Sequence, residues 1–316
     1  MASLAATFGR GAMTNGWTDV ANCDVILVMG GNPAENHPVG FRFVMEAKRH
    51  RKAKLVCVDP RFNRTAAVSD CYVPIRAGTD IAFLGGLLHY TLGHNLQHAD
   101  YIRLHTNGSF LVKEGFDFAE GFFSGWDSEK KVYDKSSWQY ELDAHGYAKV
   151  DPMLEHPRSV FQLMKKHYAR YTPEKVASIC GCSAEDFTRA AQIICSTGKP
   201  DRRGTVLYAL GWTQHSHSVQ LIHTAAMLQL ILGNIGVPGG GVNAQRGHSN
   251  IQGATDLGSW DMLPGYLKMP RAPQTSLATY LRENTPKPLR PNAMNYWSNT
   301  PKFMVSLLKA YYGDRA

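Results

Sequence analysis

Residues 24–60, "DVILVMGGNPAENHPVGFRFVMEAKRHRKAKLVCVDP", restrict the fold more than any other stretch of this chain. An apolar β-run at 24–29 passes through two glycines into helical periodicity from Val39 to His50, and a second apolar run follows at 54–58. Two such strands joined by a helix make a βαβ unit, with parallel strands covered by helices. A second strand-turn-helix follows in "GTVLYALGWTQHSHSVQLIHTAAMLQLILGNIGVPGGG": a buried strand at 205–210, the turn "GWTQHS", and a helix at 217–232 that is apolar nearly all round and so belongs in a core. The fold class expected is α/β, with parallel-sheet, Rossmann-like domains. Its two turns at the carboxyl ends of strands are where such sheets take small ligands.

The rest of the chain is arranged around these units. A helix is expected from Thr65, then the extended piece "CYVPI", then the turn "RAGTD", whose Thr79 or Asp80 can cap the apolar helix "IAFLGGLLHYTLG". Residues 105–160 are polar and aromatic without a long period, and read as a surface insertion with a short hairpin around "DAHGYA". Helices resume at "RSVFQLMKKHYARY" and "SAEDFTRAAQIICST", where Ser183 with Asp186 approximates a capping box. After Gly241 the pattern fades into irregular, proline-rich chain, closed by a helix whose Leu307, Leu308, Tyr311 and Tyr312 present apolar surface. The divisions expected are 1–104, 105–160, 161–265 and 266–316.

Composition narrows the function. A length of 316 residues with 44% hydrophobic and 19% charged residues suits a folded chain with a sizeable core. The net charge of +8 and 29 glycines fit anion handling through backbone amides, but the basic residues are scattered, which argues against nucleic acid as a partner. Six cysteines lie far from one another except for one C-x-C at Cys180 and Cys182, so buried thiols are expected and no metal ligand set is assigned. "MASLAATFGRGAM" lacks the pattern of a secretory signal, and no stretch reaches the roughly 18 apolar residues of a membrane span, so the chain as it stands reads as soluble.

Three polar constellations could carry chemistry. "MGGNPAEN" is not G-x-G-x-x-G, which speaks against a nicotinamide dehydrogenase, yet Gly30 and Gly31 can let backbone amides approach a phosphate while Asn32 donates and accepts. Asp59, ending the next strand, can accept two ribose or base hydrogens; the plain alternative is a glycine turn with an aspartate capping a helix. In "GWTQHSHS", Trp212 offers stacking, Thr213 and Gln214 hydrogen bonds, and His215 and His217 ligands or proton carriers, while Thr213 as a plain helix cap is the alternative. "GVNAQRGHSNIQG", residues 241–253, frees Arg246 to clamp a carboxylate or phosphate, or to pin its loop to Asp256.

Together "LAATFGRGAMTN", "VMGGNPAENHPVGFR", "VDPRFNRTA", "RAGTDIAFL", "YALGWTQHS", "LGNIGVPGGGVNAQRGHSNIQGATDLG", "NTPKPL" and "KAYYGDRA" resemble the large subunit of the formate dehydrogenases of the molybdopterin oxidoreductase superfamily. The resemblance runs the full length, and the insertion "YDKSSWQYELDAHGYAKVDPMLEHPR" is similar to the membrane-associated respiratory type, nitrate-inducible or aerobic. It implies several α/β domains around two molybdopterin guanine dinucleotides and one molybdenum or tungsten atom, of which this chain corresponds to a middle portion. The first α/β portion, 1–104, would bind a pterin dinucleotide, and 161–265 would carry the substrate loop. The selenocysteine or cysteine metal ligand, a catalytic histidine, an iron–sulfur cluster and a twin-arginine export signal would lie upstream, and the rest of the second pterin site downstream. If the ligand is selenocysteine, an in-frame UGA followed by a histidine codon is expected just ahead of this chain.

Residue by residue, the resemblance puts Gly30, Gly31, Asn32, His37, Asp59, Arg61, Gly78 and Asp80 around a guanine dinucleotide, and Gly211, Trp212, Thr213 and Gln214 in a second set of pterin-facing contacts. Arg246 falls on the substrate arginine, with Gly247 beside it as a further cofactor contact and His248 in a supporting catalytic role. The implied reaction is oxidation of formate to carbon dioxide, and the implied partners are an iron–sulfur beta subunit and a cytochrome b gamma subunit of a periplasmic, membrane-associated complex. By itself the chain is expected to be inactive. The alternatives are another molybdopterin oxidoreductase, such as a nitrate or polysulfide reductase, and a non-catalytic cofactor-binding fragment.

Overall fold

A computed structural model describes residues 2–119, 121–248, 250–258, 262–293 and 295–315. Five strands form one parallel sheet: β1 Val25–Met29, β2 Lys54–Val58, β3 Cys71–Val73, β4 Gly204–Tyr208 and β5 Gly241–Ala244, in the order β3-β2-β1-β4-β5. In register, Val25 pairs with both Lys54 and Gly204, Val56 with Cys71, and Thr205 with Gly241. The two strand-turn-helix runs thus lie side by side in a single sheet. The chain leaves β1 in one direction to build β2 and β3, and returns on the other side for β4 and β5. This places a topological switch point between β1 and β4.

Burial on both faces explains why these strands read as unbroken apolar runs. Along β1, Val25, Leu27 and Met29 enter one core with Val56, Val206 and Tyr208, while Ile26 and Val28 enter the other with Leu55, Leu207, Phe41 and Val44. The first core is covered by three helices, α1 Asp80–Gly93, α2 Ala184–Cys195 and α3 Ser218–Ile231. α1 and α3 are buried almost all round, as the apolar sequences of both require. All six cysteines are buried free thiols. Burial pushes Cys57 and Cys195 up to about 12, so both behave as apolar packing groups.

Several local expectations need correction. The helix after β1 is two pieces, Pro33–Asn36 and Pro38–Glu46, and it closes in a wide turn over Ala47–Arg51 that ends with Lys52 at φ 60°. The helix at Thr65 is one turn, Arg64–Ala67, whose Ala66 N–H donates to the Asn63 side chain at 2.9 Å. Thr79 stands at the N-cap of α1 but its hydroxyl donates back to the Arg76 carbonyl at 2.6 Å, and Asp80 is already the first helical residue. Thr213 does not cap α3 either; His217 holds that position without a side-chain cap. The largest difference lies at 241–244, where the sequence pattern suggests the start of irregular chain. These residues are β5, wholly buried at one side of the sheet, where Asn243 spends its amide on Thr205 Oγ1 at 2.8 Å.

At Ser183 the approximate capping box takes a variant form: its hydroxyl accepts from the Asp186 N–H at 3.0 Å and donates to the Asp186 carboxylate at 2.9 Å. The insertion contains two small antiparallel ribbons, Phe118–Ala119 with Phe122–Phe123 and Trp126–Asp127 with Val132–Tyr133. A hairpin does close around "DAHGYA", with the Asp143 N–H donating to Tyr147 O at 2.8 Å.

Two compact units emerge. The first runs through Trp138 and resumes from Val150 to Arg246, and it contains the whole sheet. The second comprises Gln139–Lys149 and the chain from Gly247 on. It has its own small core of Leu267, Tyr280 and Met304, and its last helix, Thr300–Tyr312, leaves Tyr311 and Tyr312 exposed. No described helix is long and apolar enough to cross a membrane.

Candidate cofactor and substrate site

The carboxyl ends of the strands in the first unit gather most of the residues singled out by sequence. After β1 comes Gly30, at φ +74°; a Cβ there would stand 2.5 Å from Trp212 Cδ1 and 2.9 Å from the Trp212 nitrogen. After β4 comes Gly211, where a Cβ would meet the Gly30 carbonyl oxygen at 2.7 Å. The two turns are therefore packed backbone against backbone. The Gly30 carbonyl ties them together by accepting from the Ala209 and Gly211 N–H groups at 3.1 and 3.0 Å. Neither position has room for a side chain.

Asn32 and His37 fasten this junction to its surroundings. Asn32 Oδ1 accepts from Thr65 Oγ1 at 2.8 Å, and the Asn32 side-chain nitrogen donates to Glu35. His37 Nε2 lies 2.7 Å from the Arg246 carbonyl. A carbonyl only accepts, so His37 carries its proton there. The first turn is thus braced to the segment after β5.

The second turn differs from its reading as a stacking platform. Trp212 is completely buried, its ring stacks on Tyr208 at 4.9 Å between centroids, and its Nε1–H donates to Asp80 Oδ1 at 3.1 Å. Thr213 and Gln214 are exposed. Asp80 is only 5% exposed, and burial raises its carboxyl above the ordinary range against the pull of its own N–H, His215 and Trp212. His215 Nε2 stands 4.0 Å from Asp80 Oδ2, and the His215 and His217 rings are 5.5 Å apart. Among the described residues no group of three His, Cys, Asp or Glu could hold a metal ion.

Asp59 ends β2 half-buried, which raises its carboxyl, although the Arg61 N–H at 2.8 Å and the Arg61 charge pull the other way. Arg61 is exposed, and Gly78, at φ +85°, has nothing within 4 Å of where a Cβ would be. Asp59 and Arg61 follow the carboxyl end of β2, and Gly78 follows that of β3. Beyond β5, the guanidinium of Arg246 is half-buried and its NH2 donates to the Gly11 carbonyl at 2.6 Å. Burial pulls the pKa of this guanidinium down, the Tyr208 phenol opposes that, and Arg10 adds to it. Gly247 and His248 are exposed and belong to the second unit.

One polar residue here escaped sequence reasoning. Gln245 directly follows β5 and is 6% exposed, and neither atom of its side-chain amide has a hydrogen-bond partner. A Cβ on Gly31 would stand 3.2 Å from Gln245 Oε1 and from Ala209 Cβ, so the amide faces the turn after β1. The only available signal was its position, a glutamine between a buried strand and Arg246.

The profile of the molybdopterin oxidoreductase family matches residues 2–299. Over 317 aligned positions the chain is 57% identical to the nitrate-inducible formate dehydrogenase major subunit and 56% identical to the formate dehydrogenase-O major subunit, both of Escherichia coli K12. It is 49% identical to formate dehydrogenase 2 subunit alpha (cytochrome c-553) of Nitratidesulfovibrio vulgaris. Each match takes in all of this chain and 31% of the relative, so the chain spans about a third of the length of these relatives.

Proposed function

This chain belongs to the molybdopterin oxidoreductase family, and from that premise we propose that it forms part of the catalytic subunit of a respiratory formate dehydrogenase. The observation that carries the reading is identity of 49–57% across the whole chain to subunits named for that activity. The carboxyl ends of the strands fit a large heteroaromatic, phosphate-bearing group. Gln245 offers a buried donor and acceptor with no protein partner.

The residues that would hold the cofactor are Gly30, Gly31, Asn32, Asp59, Arg61, Gly78 and Asp80 on one side of the switch point, and Gly211, Thr213 and Gln214 on the other. Asn32 is pre-oriented by Thr65, and Trp212 serves from inside by fixing Asp80. The bound molybdenum or tungsten pterin, as a bis(guanine dinucleotide), supplies the acceptor for two electrons. Formate gives up those electrons and a proton to become carbon dioxide.

Arg246 has the chemistry to hold the formate carboxylate, since its guanidinium stays charged and binds two oxygens at fixed angles. Its surroundings favour that role, because the Gly11 carbonyl takes one NH2 and His37 fixes its backbone. Holding both oxygens orients the C–H bond, a positioning effect that can supply several kcal/mol. His248 is assigned a supporting role. The reading extends to an iron–sulfur cluster elsewhere in the subunit, to iron–sulfur and cytochrome b partner subunits, and to anaerobic respiration at the periplasmic face.

The complex carrying this chain, isolated with its cofactor, is assayed with isotopically labelled formate and an artificial electron acceptor. Labelled carbon dioxide and stoichiometric acceptor reduction are expected. Reduction of nitrate or polysulfide by a formate-inert complex would overturn the reading.

A further inference from the structure

The amino end of the sheet shows how this fold treats buried side-chain amides. Gln229 Nε2 donates to the Gly204 and Gly241 carbonyls at 2.8 and 2.7 Å, and its oxygen accepts from Asn234 at 3.0 Å. Asn234 also donates to Thr197 Oγ1 at 2.9 Å and accepts from the Gly204 N–H at 3.1 Å. At the carboxyl end, Gln245 is likewise buried, with donor and acceptor both unanswered. Leaving one such group unpaired costs about 1–3 kcal/mol, and an apolar leucine would avoid that cost.

From this contrast we infer that Gln245 is a cofactor-recognition residue whose carboxamide pairs with a lactam edge, an adjacent ring N–H and C=O, of a fused pyrimidinone. The donor and acceptor of one planar amide stand side by side, so Gln245 Nε2 donates to the ring carbonyl while Oε1 accepts from the ring N–H, as glutamine reads a base edge. The location is consistent with a planar ring. Gly31 has no side chain where a Cβ would lie 3.2 Å from both Gln245 Oε1 and Ala209 Cβ, and the turns after β1 and β4 flank the switch point where such sheets bind ligands. Both the pterin ring and a guanine base carry this edge. The inference rests on the cofactor of the proposed function and is independent of formate as substrate.

The test uses the cofactor-loaded subunit carrying this chain as wild type, Gln245→Leu and Gln245→Asn. Release of pterin, read as its fluorescent oxidation product, and melting temperatures with and without cofactor are measured. Gln245→Leu is expected to leave the cofactor-free melting temperature equal or higher, while release quickens on the order of tenfold to a hundredfold. Gln245→Asn keeps the chemistry but withdraws it by one methylene, and is expected to release cofactor nearly as fast. Repeating the measurement with molybdopterin lacking its guanosine separates the sources: a persistent effect assigns the pterin edge, and an effect confined to the dinucleotide assigns guanine. Wild-type release rates in Gln245→Leu with both forms would overturn the inference. A wild-type subunit that carries no pterin would instead overturn the cofactor reading itself.

Discussion

The two ends of one five-stranded sheet treat buried polar groups in opposite ways. At the amino end, Gln229, Asn234 and Thr197 close a network with the Gly204 and Gly241 backbone, and Asp24 takes the Arg203 N–H at 2.8 Å and pairs with Arg51 at 2.8 Å. At the carboxyl end, Gln245 is unanswered, Asp80 is held above the usual carboxylate range by burial, and Arg246 is partly desolvated. Satisfied groups stabilise a fold, whereas groups held at a cost mark a place arranged for something else. The same sheet thus carries a settled scaffold at one end and the candidate site at the other.

Substitutions can break this contrast. Gln229→Leu should be the most damaging, because it strips partners from two buried carbonyls and from Asn234; a loss of about 3–5 kcal/mol is expected in chemical denaturation. Its counterpart at the other end, Gln245→Leu, should cost the cofactor-free chain nothing. Equal losses at the two ends would erase the distinction. Next in size is Gly30→Ala, which combines a left-handed backbone with a Cβ driven against Trp212 and should cost about 2–4 kcal/mol.

The smallest effect sharpens the comparison by pH. Asp80 has a folded pKa raised by burial above its unfolded value near 3.8, so the folded state holds that proton more tightly. Its contribution is fully present below 3.8 and is lost as pH rises through the raised folded value. Asp80→Asn should flatten that part of the stability profile, followed by thermal melts from about pH 3 upward. An unchanged profile would assign the acid dependence elsewhere.

Much of the scaffold is legible in the sequence. β1, β2 and β4 are runs of β-branched and aliphatic residues, so their limits could be placed to within a residue or two. β5, "GVNA", was missed because four residues, one of them a polar asparagine bonded to Thr205, carry no period to detect. That both halves share one sheet was equally hidden, since pairing of β1 with β4 joins residues nearly 180 apart in sequence. At the site, residue types and turns were readable, but satisfaction was not. Trp212 reads as a ligand platform until its burial against Tyr208 is seen, and Gln245 reads as one more polar loop residue until its partners are sought and none is found.

The proposed role of Arg246, holding the carboxylate of formate, is tested most directly by kcat/KM for formate in the cofactor-loaded enzyme bearing Arg246→Ala. Losing a charge-assisted clamp on a buried carboxylate should lower kcat/KM by at least about a hundredfold, with metal and pterin content unchanged. Wild-type kcat/KM at full cofactor content would contradict the account.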